Sequence, residues 1–310
     1  MVIERELGYL EPGDEFGEWL TEVLAEKLSE PDGEILVYKI EPASHVVCRF
    51  EFVDTGINVV GKFFGAPLGV NTRYNSGKAM KNEYDRLRRV SDWILVPRAI
   101  AMNQKYRSVL VTTYIPGTNM RRLLAADIPL YKPLTGVSHL LRQLHDNTET
   151  ICRRDREFAY FHKVLDQNRL PVHRREKFNH LLGAWWYSAH ISQDEGCMVH
   201  GDATPANYIY DGRIWALDFE GARDHAHRIR DLGILAAEIK ASTRNVQAED
   251  YIGHLLWNYS KGETEFHNYA IDLPFFMALG YLRIARLPWR VTERDWLIDE
   301  AEACLGTGMG

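Results

Sequence analysis

The first thirty residues show the repeat of apolar positions that is typical of a helix. Large apolar side chains recur there at steps of three and four residues, at Phe16, Trp19, Leu20, Val23, Leu24 and Leu28. This spacing places them on one face of an α-helix, where they can pack against a core. The sequence Pro31-Asp32-Gly33 then predicts a turn that ends the helix.

A different pattern follows, with short runs of apolar and β-branched residues that predict strands. Three such runs cover residues 35–40, 45–53 and 57–64. Only short, turn-rich segments separate them, and connections this short cannot form a parallel crossover. The pattern therefore predicts an antiparallel meander.

A charged helix and two more strands complete this β-rich part of the chain. The helix is predicted over residues 78–90, where apolar residues share one stripe. The strands are predicted near residues 93–100 and 108–114, and Pro116-Gly117 ends the second one.

Beyond Gly117 the chain becomes mostly helical. Helical periodicity marks the segments 121–126, 134–145 and 178–190 and the tail from Asp231, and one short β-rich island lies at 198–218. The expected fold class is α+β. We expect a small amino-terminal lobe over residues 1–117, with a hinge at 112–117, and a larger helical lobe over 118–310.

Composition and charge narrow the classes of function. The chain has 310 residues, and 37 basic against 43 acidic residues give a net charge of −6, which argues against a nucleic-acid partner. No apolar run is long enough to span a membrane, and the first twenty residues lack the features of a signal peptide. The four cysteines form no CxxC pair. These features predict a cytoplasmic enzyme with reduced thiols; they leave the oligomeric state open.

Polar residues that can carry chemistry flank the short strands of the β-rich island. Asp202 and Asn207 precede the run Tyr208-Ile209-Tyr210, and Asp218 follows the next run, beyond an Asp211-Gly212 turn. A hairpin at that turn would fold Asn207 towards Asp218. Amide and carboxylate oxygens of this kind suit Mg²⁺. Asp202 could orient a hydroxyl group and receive its proton.

The order of these residues resembles the aminoglycoside phosphotransferase and choline kinase family. The family's catalytic loop reads His-Gly-Asp, four residues, then Asn, and His200-Gly201-Asp202 is followed here by Asn207. Asp218-Phe219-Glu220 stands where protein kinases have Asp-Phe-Gly, and Asp231-Leu232 matches a later Asp-Leu pair. The resemblance implies a protein kinase-like two-lobe fold and use of Mg²⁺ with ATP or GTP. Asp202 would be the catalytic base, with Asn207 and Asp218 as metal ligands.

The resemblance also implies nucleotide-binding residues in the amino-terminal lobe. Lys62, on the third predicted strand, would contact the phosphates, with Glu83 on the following helix as its partner. Glu51 and Asp85 remain alternative partners. Ser44 lies in a loop at 41–45 that would cover the phosphates, although this loop lacks the glycine that eases close approach of the backbone.

The hinge is expected to bind the adenine edge. The backbone groups of Thr113, Tyr114 and Ile115 would form these hydrogen bonds. The predicted function is transfer of the γ-phosphoryl group to a hydroxyl of a small acceptor such as an aminoglycoside, an amino alcohol or a sugar. The alternative is a kinase-like module that binds a nucleotide without transfer.

Three other features are less specific. Asp224-His225-Ala226-His227 is expected to be solvated or structural rather than a metal site. In Trp185-Trp186-Tyr187 at least one ring should belong to the core, since adjacent helical residues face different directions. His145 is expected to cap or pack.

Overall fold

The structure is a computed structural model that describes residues 3–26, 33–65, 74–126, 128–243 and 247–307. The chain divides into two compact units. One comprises Met1–Gly117 and Trp215–Glu220, and the other comprises Thr118–Ile214 and Gly221–Gly310. We call them the sheet unit and the helical unit. Within the described ranges no helix is both long and apolar enough to cross a bilayer.

A six-stranded antiparallel sheet forms most of the sheet unit. Its strands are β1 (Ile3–Tyr9), β2 (Ile35–Glu41), β3 (Val46–Phe52), β4 (Ile57–Phe63), β5 (Ala99–Asn103) and β6 (Val109–Thr113). They lie in the order β1-β2-β3-β4-β6-β5. The register sets Lys62 of β4 opposite Val47 of β3 and Leu110 of β6. The predicted meander is therefore confirmed as β2, β3 and β4.

Two helices belong to the sheet unit, α1 (Glu15–Leu24) and α2 (Ser76–Val90). The Asp14 side chain caps α1 by accepting hydrogen bonds from the amides of Phe16 and Gly17. Leu20 and Leu24 of α1 then join the core that the sheet provides. Apolar burial thus holds α1 to the sheet.

The prediction of a helix from the first residues is wrong at its start. Residues Ile3–Tyr9 form β1, an edge strand antiparallel to β2. This strand is rich in charged residues, and Leu7 and Tyr9 are exposed, so it lacks the alternation that marks a half-buried strand. The helix begins only after Pro12 and Gly13. Leu28 and the Pro31-Asp32 part of the predicted turn lie outside the described residues.

The fifth strand also lies away from its predicted place. β5 covers Ala99–Asn103 instead of 93–100, and Trp93 lies in a turn after α2. Pro97 lacks the amide that a strand ladder requires, which explains why pairing begins only beyond it. The prediction of a helix at 78–90 is confirmed by α2.

The helical unit contains eight helices among its described residues. They are α3 (Met120–Ala125), α4 (Tyr131–Asp146), α5 (Arg154–Asn168), α6 (Val172–Tyr187), α7 (Ile229–Thr243), α8 (Gln247–Tyr259), α9 (Glu263–Ala285) and α10 (Arg294–Thr307). The helix predicted at 178–190 is α6, which begins earlier, after Pro171. α5 lies outside the predicted helices, although its buried Phe158, Phe161 and Leu165 carry the helical repeat.

Short strands lie before and between these helices along the chain. They are β7 (Thr118–Asn119), β8 (Gly196–Val199), β9 (Tyr208–Tyr210), β10 (Ile214–Ala216) and β11 (Arg223–His227). β7 pairs with β9 and β8 pairs with β11, both antiparallel. β11 occupies the Asp-His-Ala-His segment, which was expected to be a loop.

Helices α7 and α9 pack unusually close together. A Cβ atom at Gly233 of α7 would lie 2.3 Å from the Cβ of Phe276 on α9, so glycine is required there. Both helices carry residues of the candidate site, and this close packing fixes their relative positions.

Candidate active site

Lys62 is surrounded by carboxylates within the sheet unit. Its Nζ donates to Glu83 Oε2 at 2.7 Å and to Asp218 Oδ1 at 2.8 Å. Glu220 Oε2 lies 3.4 Å from the same Nζ. The Lys62 side chain is 12% exposed, so these charges interact in a largely desolvated place. Because three carboxylates lie within 3.4 Å of it, the ammonium has a fixed position.

Glu83 is the most buried member of this cluster. It lies on α2 and is 3% exposed. Burial raises the pKa of the Glu83 carboxyl to about 7, against the attraction of the Lys62 ammonium. Burial acts to lower the pKa of Lys62, but the charges of Asp218 and Glu83 outweigh it and raise that pKa above its usual value. Lys62 is therefore a permanent cation here.

The segment after β10 supplies two of the carboxylates. Asp218 adopts a left-handed backbone conformation, with φ +59°. Arg86 of α2 fixes the next two residues by donating to the carbonyl oxygens of Phe219, at 3.0 Å, and Glu220, at 2.8 Å. Sequence reasoning missed Arg86, because no pattern links it to a segment more than a hundred residues away.

His45 is a second residue of the site that the sequence analysis did not single out. Its Nε2 lies 2.7 Å from Glu220 Oε2. Burial acts to raise the pKa of Glu220, but the hydrogen bond to His45 and the charge of Lys62 outweigh it and lower that pKa. The loop at 41–45 therefore contacts the carboxylate cluster through an imidazole.

The carboxylates of the sheet unit fit a hard cation. Ligand oxygens of Glu83, Asp218 and Glu220 lie within 4.8 Å of one another. Asp218 and Glu220 thus place two carboxylates beside the Lys62–Glu83 pair. Oxygen donors of this kind are those that Mg²⁺ prefers.

The loop that carries Asp202 belongs to the helical unit and is anchored by Asp231. The buried Asp231 carboxylate accepts hydrogen bonds from the amides of His200, at 2.7 Å, and Gly201, at 2.9 Å. His145 Nε2 lies 3.2 Å from the same carboxylate, and its Nδ1 lies 2.7 Å from the Tyr259 hydroxyl. A buried network therefore holds the start of the loop.

Gly201 is required by the geometry of this loop. Its φ is +78°, and an added Cβ would lie 2.1 Å from the carbonyl oxygen of Gly221. No side chain fits so close to a backbone atom, and few residues other than glycine adopt this backbone conformation. The arginine that protein kinases have at the corresponding place is therefore excluded here.

Both carboxylate oxygens of Asp202 are engaged within the helical unit. Oδ2 accepts from Asn207 Nδ2 at 3.0 Å, and the same amide donates to the Asp202 carbonyl at 2.8 Å. Oδ1 accepts a hydrogen bond from Arg283 of α9, which also donates to the Gly201 carbonyl at 2.9 Å. Asp202 and Asn207 thus form one hydrogen-bonded pair.

Comparison with known proteins gives the family. The sequence profile of the phosphotransferase enzyme family (APH) matches residues 66–264 of this chain. This chain belongs to that family. It is therefore a phosphotransferase, as the resemblance implied. A search of curated proteins by sequence gave no significant match.

Solved structures show the fold of this phosphotransferase. The GDP complex of aminoglycoside 2′-phosphotransferase-IIIa matches with a TM-score of 0.62 and 11% identity, over 95% of this chain and 98% of that chain. Choline kinase from Cryptosporidium parvum Iowa II matches with 0.58 and 13%, over 94% of each chain. Amicoumacin kinase in complex with AMP-PNP, Ca²⁺ and Ami matches with 0.58 and 16%, over 86% and 88%. The expected α+β, protein kinase-like fold is confirmed.

The contacts in this phosphotransferase distinguish between the three predicted partners of Lys62. Glu83 contacts it, whereas Glu51 contacts Arg49 and Asp85 contacts Lys81. Only Glu83 is therefore placed as a kinase Lys–Glu pair requires.

The predicted nucleotide contacts at Ser44 and at the hinge lie at the ends of strands. Ser44 is exposed in the loop between β2 and β3. The Thr113 amide donates to the Arg98 carbonyl at 3.0 Å, and the Tyr114 amide donates to the Asn58 carbonyl at 3.4 Å. In the described chain the Ile115 amide has no such bond.

The less specific features have structural roles. His227 is buried, and its ring stacks on Phe276. Trp185 is buried, whereas Tyr187 of the same run is exposed. His145 packs against Tyr259, as its expected role implied.

Proposed function

We propose that this phosphotransferase transfers the γ-phosphoryl group of ATP or GTP to a hydroxyl group of a small molecule. The ammonium of Lys62, held between Glu83 and Asp218, is the observation that carries the proposal. A fixed cation on a central strand is what a kinase needs beside nucleotide phosphates. The kinase names and the nucleotide complexes of the structural neighbours support the same class of reaction.

Lys62 binds the phosphate oxygens in this proposal, and Glu83 keeps its side chain extended. Phosphoryl transfer depends mainly on position and charge, so a fixed ammonium contributes directly to the rate. The Ile115 amide, and the backbone of Thr113 and Tyr114, would bind the base. The Ser44 hydroxyl and the neighbouring amides would reach the phosphates.

Asn207 and Asp218 are the proposed ligands of Mg²⁺. When bound, the ion neutralises negative charge on the phosphates. The oxygen donors of both side chains suit it, and Glu220 adds a further carboxylate beside Asp218. Glu83 is not among the proposed ligands, because its carboxyl already accepts a hydrogen bond from Lys62.

Asp202 is the proposed base. The acceptor O–H bond breaks, its proton passes to an Asp202 carboxylate oxygen, and the acceptor oxygen forms a bond to the γ-phosphorus. The bond from that phosphorus to the β–γ bridging oxygen breaks, and the nucleoside diphosphate leaves. Asn207 holds Oδ2 of Asp202 in place during this step. We place the reaction in the cytoplasm, where ATP and GTP are available.

Substitution of Asp202 tests the proposal. Asp202→Asn should reduce kcat by about 10²–10⁴-fold, with little change in the Kd for the nucleotide. Asp92→Asn, at an exposed position of the sheet unit, is the matched control and should keep full activity. Transfer assays would use amino sugars, amino alcohols, sugars and hydroxy acids. Full activity of the Asp202 variant would exclude this base, and nucleotide binding without transfer to any acceptor would favour a binding module.

A further inference from the structure

The charges of four arginines of the helical unit act on Tyr160 of α5. These arginines come from β11, α7 and the end of α9, and we call them the arginine cluster: Arg223, Arg230, Arg283 and Arg286. The guanidinium carbons of Arg223 and Arg230 lie 4.3 Å and 4.4 Å from the centre of the Tyr160 ring. The ring provides a face on which cations stack.

The positive charge of this cluster exceeds that of its acidic partners. Arg230 is fully buried and pairs with Glu157, but its Nε and Nη2 have no hydrogen-bond partner among the described residues. Arg286 contacts the neutral Gln167 side chain. In the same described part, Arg223 forms no direct ion pair, although the charge of Glu157 acts on it. Arg223 and the exposed Arg286 therefore lack a described carboxylate in direct contact.

The electrostatics of Tyr160 and Arg223 show this excess. Burial acts to raise the pKa of Tyr160, but Arg283, Arg230, Arg223 and Arg286 outweigh it and lower that pKa. Burial lowers the pKa of Arg223, and the charge of Arg230 lowers it further. Glu238 is another carboxylate that interacts with Arg283, and Arg290 and Arg121 also interact with it. Partly buried cations that repel one another are costly unless an anion binds between them.

The cluster reaches the proposed base directly. Arg283 donates to Asp202 Oδ1 and to the Gly201 carbonyl. An anion bound by the cluster would accept hydrogen bonds from Arg283. One Asp202 oxygen would then become available to the acceptor hydroxyl. The cluster is thus placed to hold one end of an acceptor whose hydroxyl meets Asp202.

We propose that the acceptor carries an anionic group, a carboxylate or a phosphate, and that Arg223 and Arg283 bind it. The proposal rests on the proposed phosphotransferase function and names its substrate class. Guanidinium forks match the oxygens of both anions. The guanidinium groups of the cluster would instead repel the ammonium of a cationic acceptor such as an amino alcohol.

The test compares acceptors that differ in one charged group. With Mg-ATP, kcat/KM would be measured for glycerol, glycerate and glycerol 3-phosphate, and for ethanolamine and serine. We expect at least a ten-fold preference for an anionic member, and the two glycerol derivatives distinguish a carboxylate from a phosphate. Arg223→Gln should bring this ratio close to one. Arg223→Lys, which keeps the charge, should reduce the ratio less.

Controls separate this proposal from the proposed function. Arg122→Gln, at an exposed arginine of α3, should keep the wild-type ratio. A preference for neutral or cationic acceptors, or a ratio that Arg223→Gln leaves unchanged, would overturn the proposal while the kinase function stands. A higher KM for ATP with every acceptor would instead assign Arg223 to the nucleotide.

Calorimetric titration covers the case in which no acceptor reacts. Glycerate or glycerol 3-phosphate should then bind wild-type protein at least ten-fold more tightly than glycerol, and Arg223→Gln should remove the difference. That result would retain the anion site although the kinase function had failed. Equal binding of all three compounds would overturn the anion site as well.

Discussion

The imidazole of His45 is hydrogen bonded to the carboxylate of Glu220, with 2.7 Å between Nε2 and Oε2. This bond ties the glycine-free loop between β2 and β3 to the carboxylates around Lys62. His45→Ala would free Glu220, which already lies 3.4 Å from Lys62 Nζ, to compete with phosphate oxygens for the ammonium. Loss of one such bond is worth about 1 kcal/mol, so we expect KM for ATP to rise about five-fold.

Ser44→Ala serves as the comparison for His45→Ala. If the Ser44 hydroxyl contacts the phosphates, this variant also raises KM for ATP, but by less, because the exposed side chain has no role in the carboxylate cluster. Steady-state kinetics with varied ATP would measure both. A larger effect at Ser44 than at His45 would contradict the importance given to the imidazole.

Glu83 should make stability depend on pH. Its pKa is raised from 4.5 to about 7 by burial, so between these values the folded protein holds a proton that the unfolded chain has lost. The contribution to stability is complete below pH 4.5 and is lost as the pH rises through 7. We expect the free energy of unfolding to fall by about 1–3 kcal/mol across this window because of Glu83. Urea unfolding from pH 5 to 8 would measure it.

Glu83→Gln should remove this pH-dependent component. The exposed Asp85→Asn variant on the same helix should retain it. Identical pH profiles for wild type and Glu83→Gln would show that the Glu83 carboxyl is ionised throughout. The variant should also lower kcat, because Lys62 loses a charged partner.

Asp231→Asn should destabilise the loop that carries Asp202. Burial acts to raise the pKa of Asp231, but the hydrogen bond and charge of His145 outweigh it and lower that pKa, so the carboxylate is ionised at neutral pH. An amide cannot accept both backbone hydrogen bonds as the carboxylate does. We expect a loss of about 2–4 kcal/mol in the free energy of unfolding and a lower kcat. Urea unfolding at pH 7 would measure the first, with the exposed Asp250→Asn as control.

Gly201→Ala should impair both folding and catalysis. The added methyl would meet the Gly221 carbonyl oxygen in a backbone conformation that favours glycine. Gly212 also has a positive φ, +101°, but no atom lies within 4 Å of its Cβ position. Gly212→Ala should therefore cost only about 1 kcal/mol, and Gly201→Ala clearly more. Thermal unfolding and kcat of both variants would compare them, and equal losses would exclude the clash at Gly201.

Local patterns in the chain predicted much of the fold. The strands β2, β3 and β4 and the helix α2 follow from runs of apolar residues, because these elements bury one face within a few residues of chain. The strand β1 could not be predicted in this way, since an exposed edge strand has no such run of apolar residues. The same limit explains β5, where Pro97 shifted the start of pairing.

The candidate site divides in the same way. The residue types and spacing of Asp202, Asn207 and Asp218 were sufficient to recognise a family, because chemistry fixes them in order along the chain. The sequence also indicated Lys62 as a site residue and Glu83 as its candidate partner, but it left Glu51 and Asp85 as alternatives. Only the packing of α2 against the sheet decided it.

Tertiary structure alone placed the remaining residues. Arg86, His45 and the arginine cluster contact segments that are far away in sequence, where no periodicity connects them. Such contacts arise when helices and strands pack, and their energy depends on burial, which a single segment does not reveal. The sequence by itself determined which reaction class the chain belongs to. The fold decided which charges meet, and with them the chemistry of the proposed acceptor.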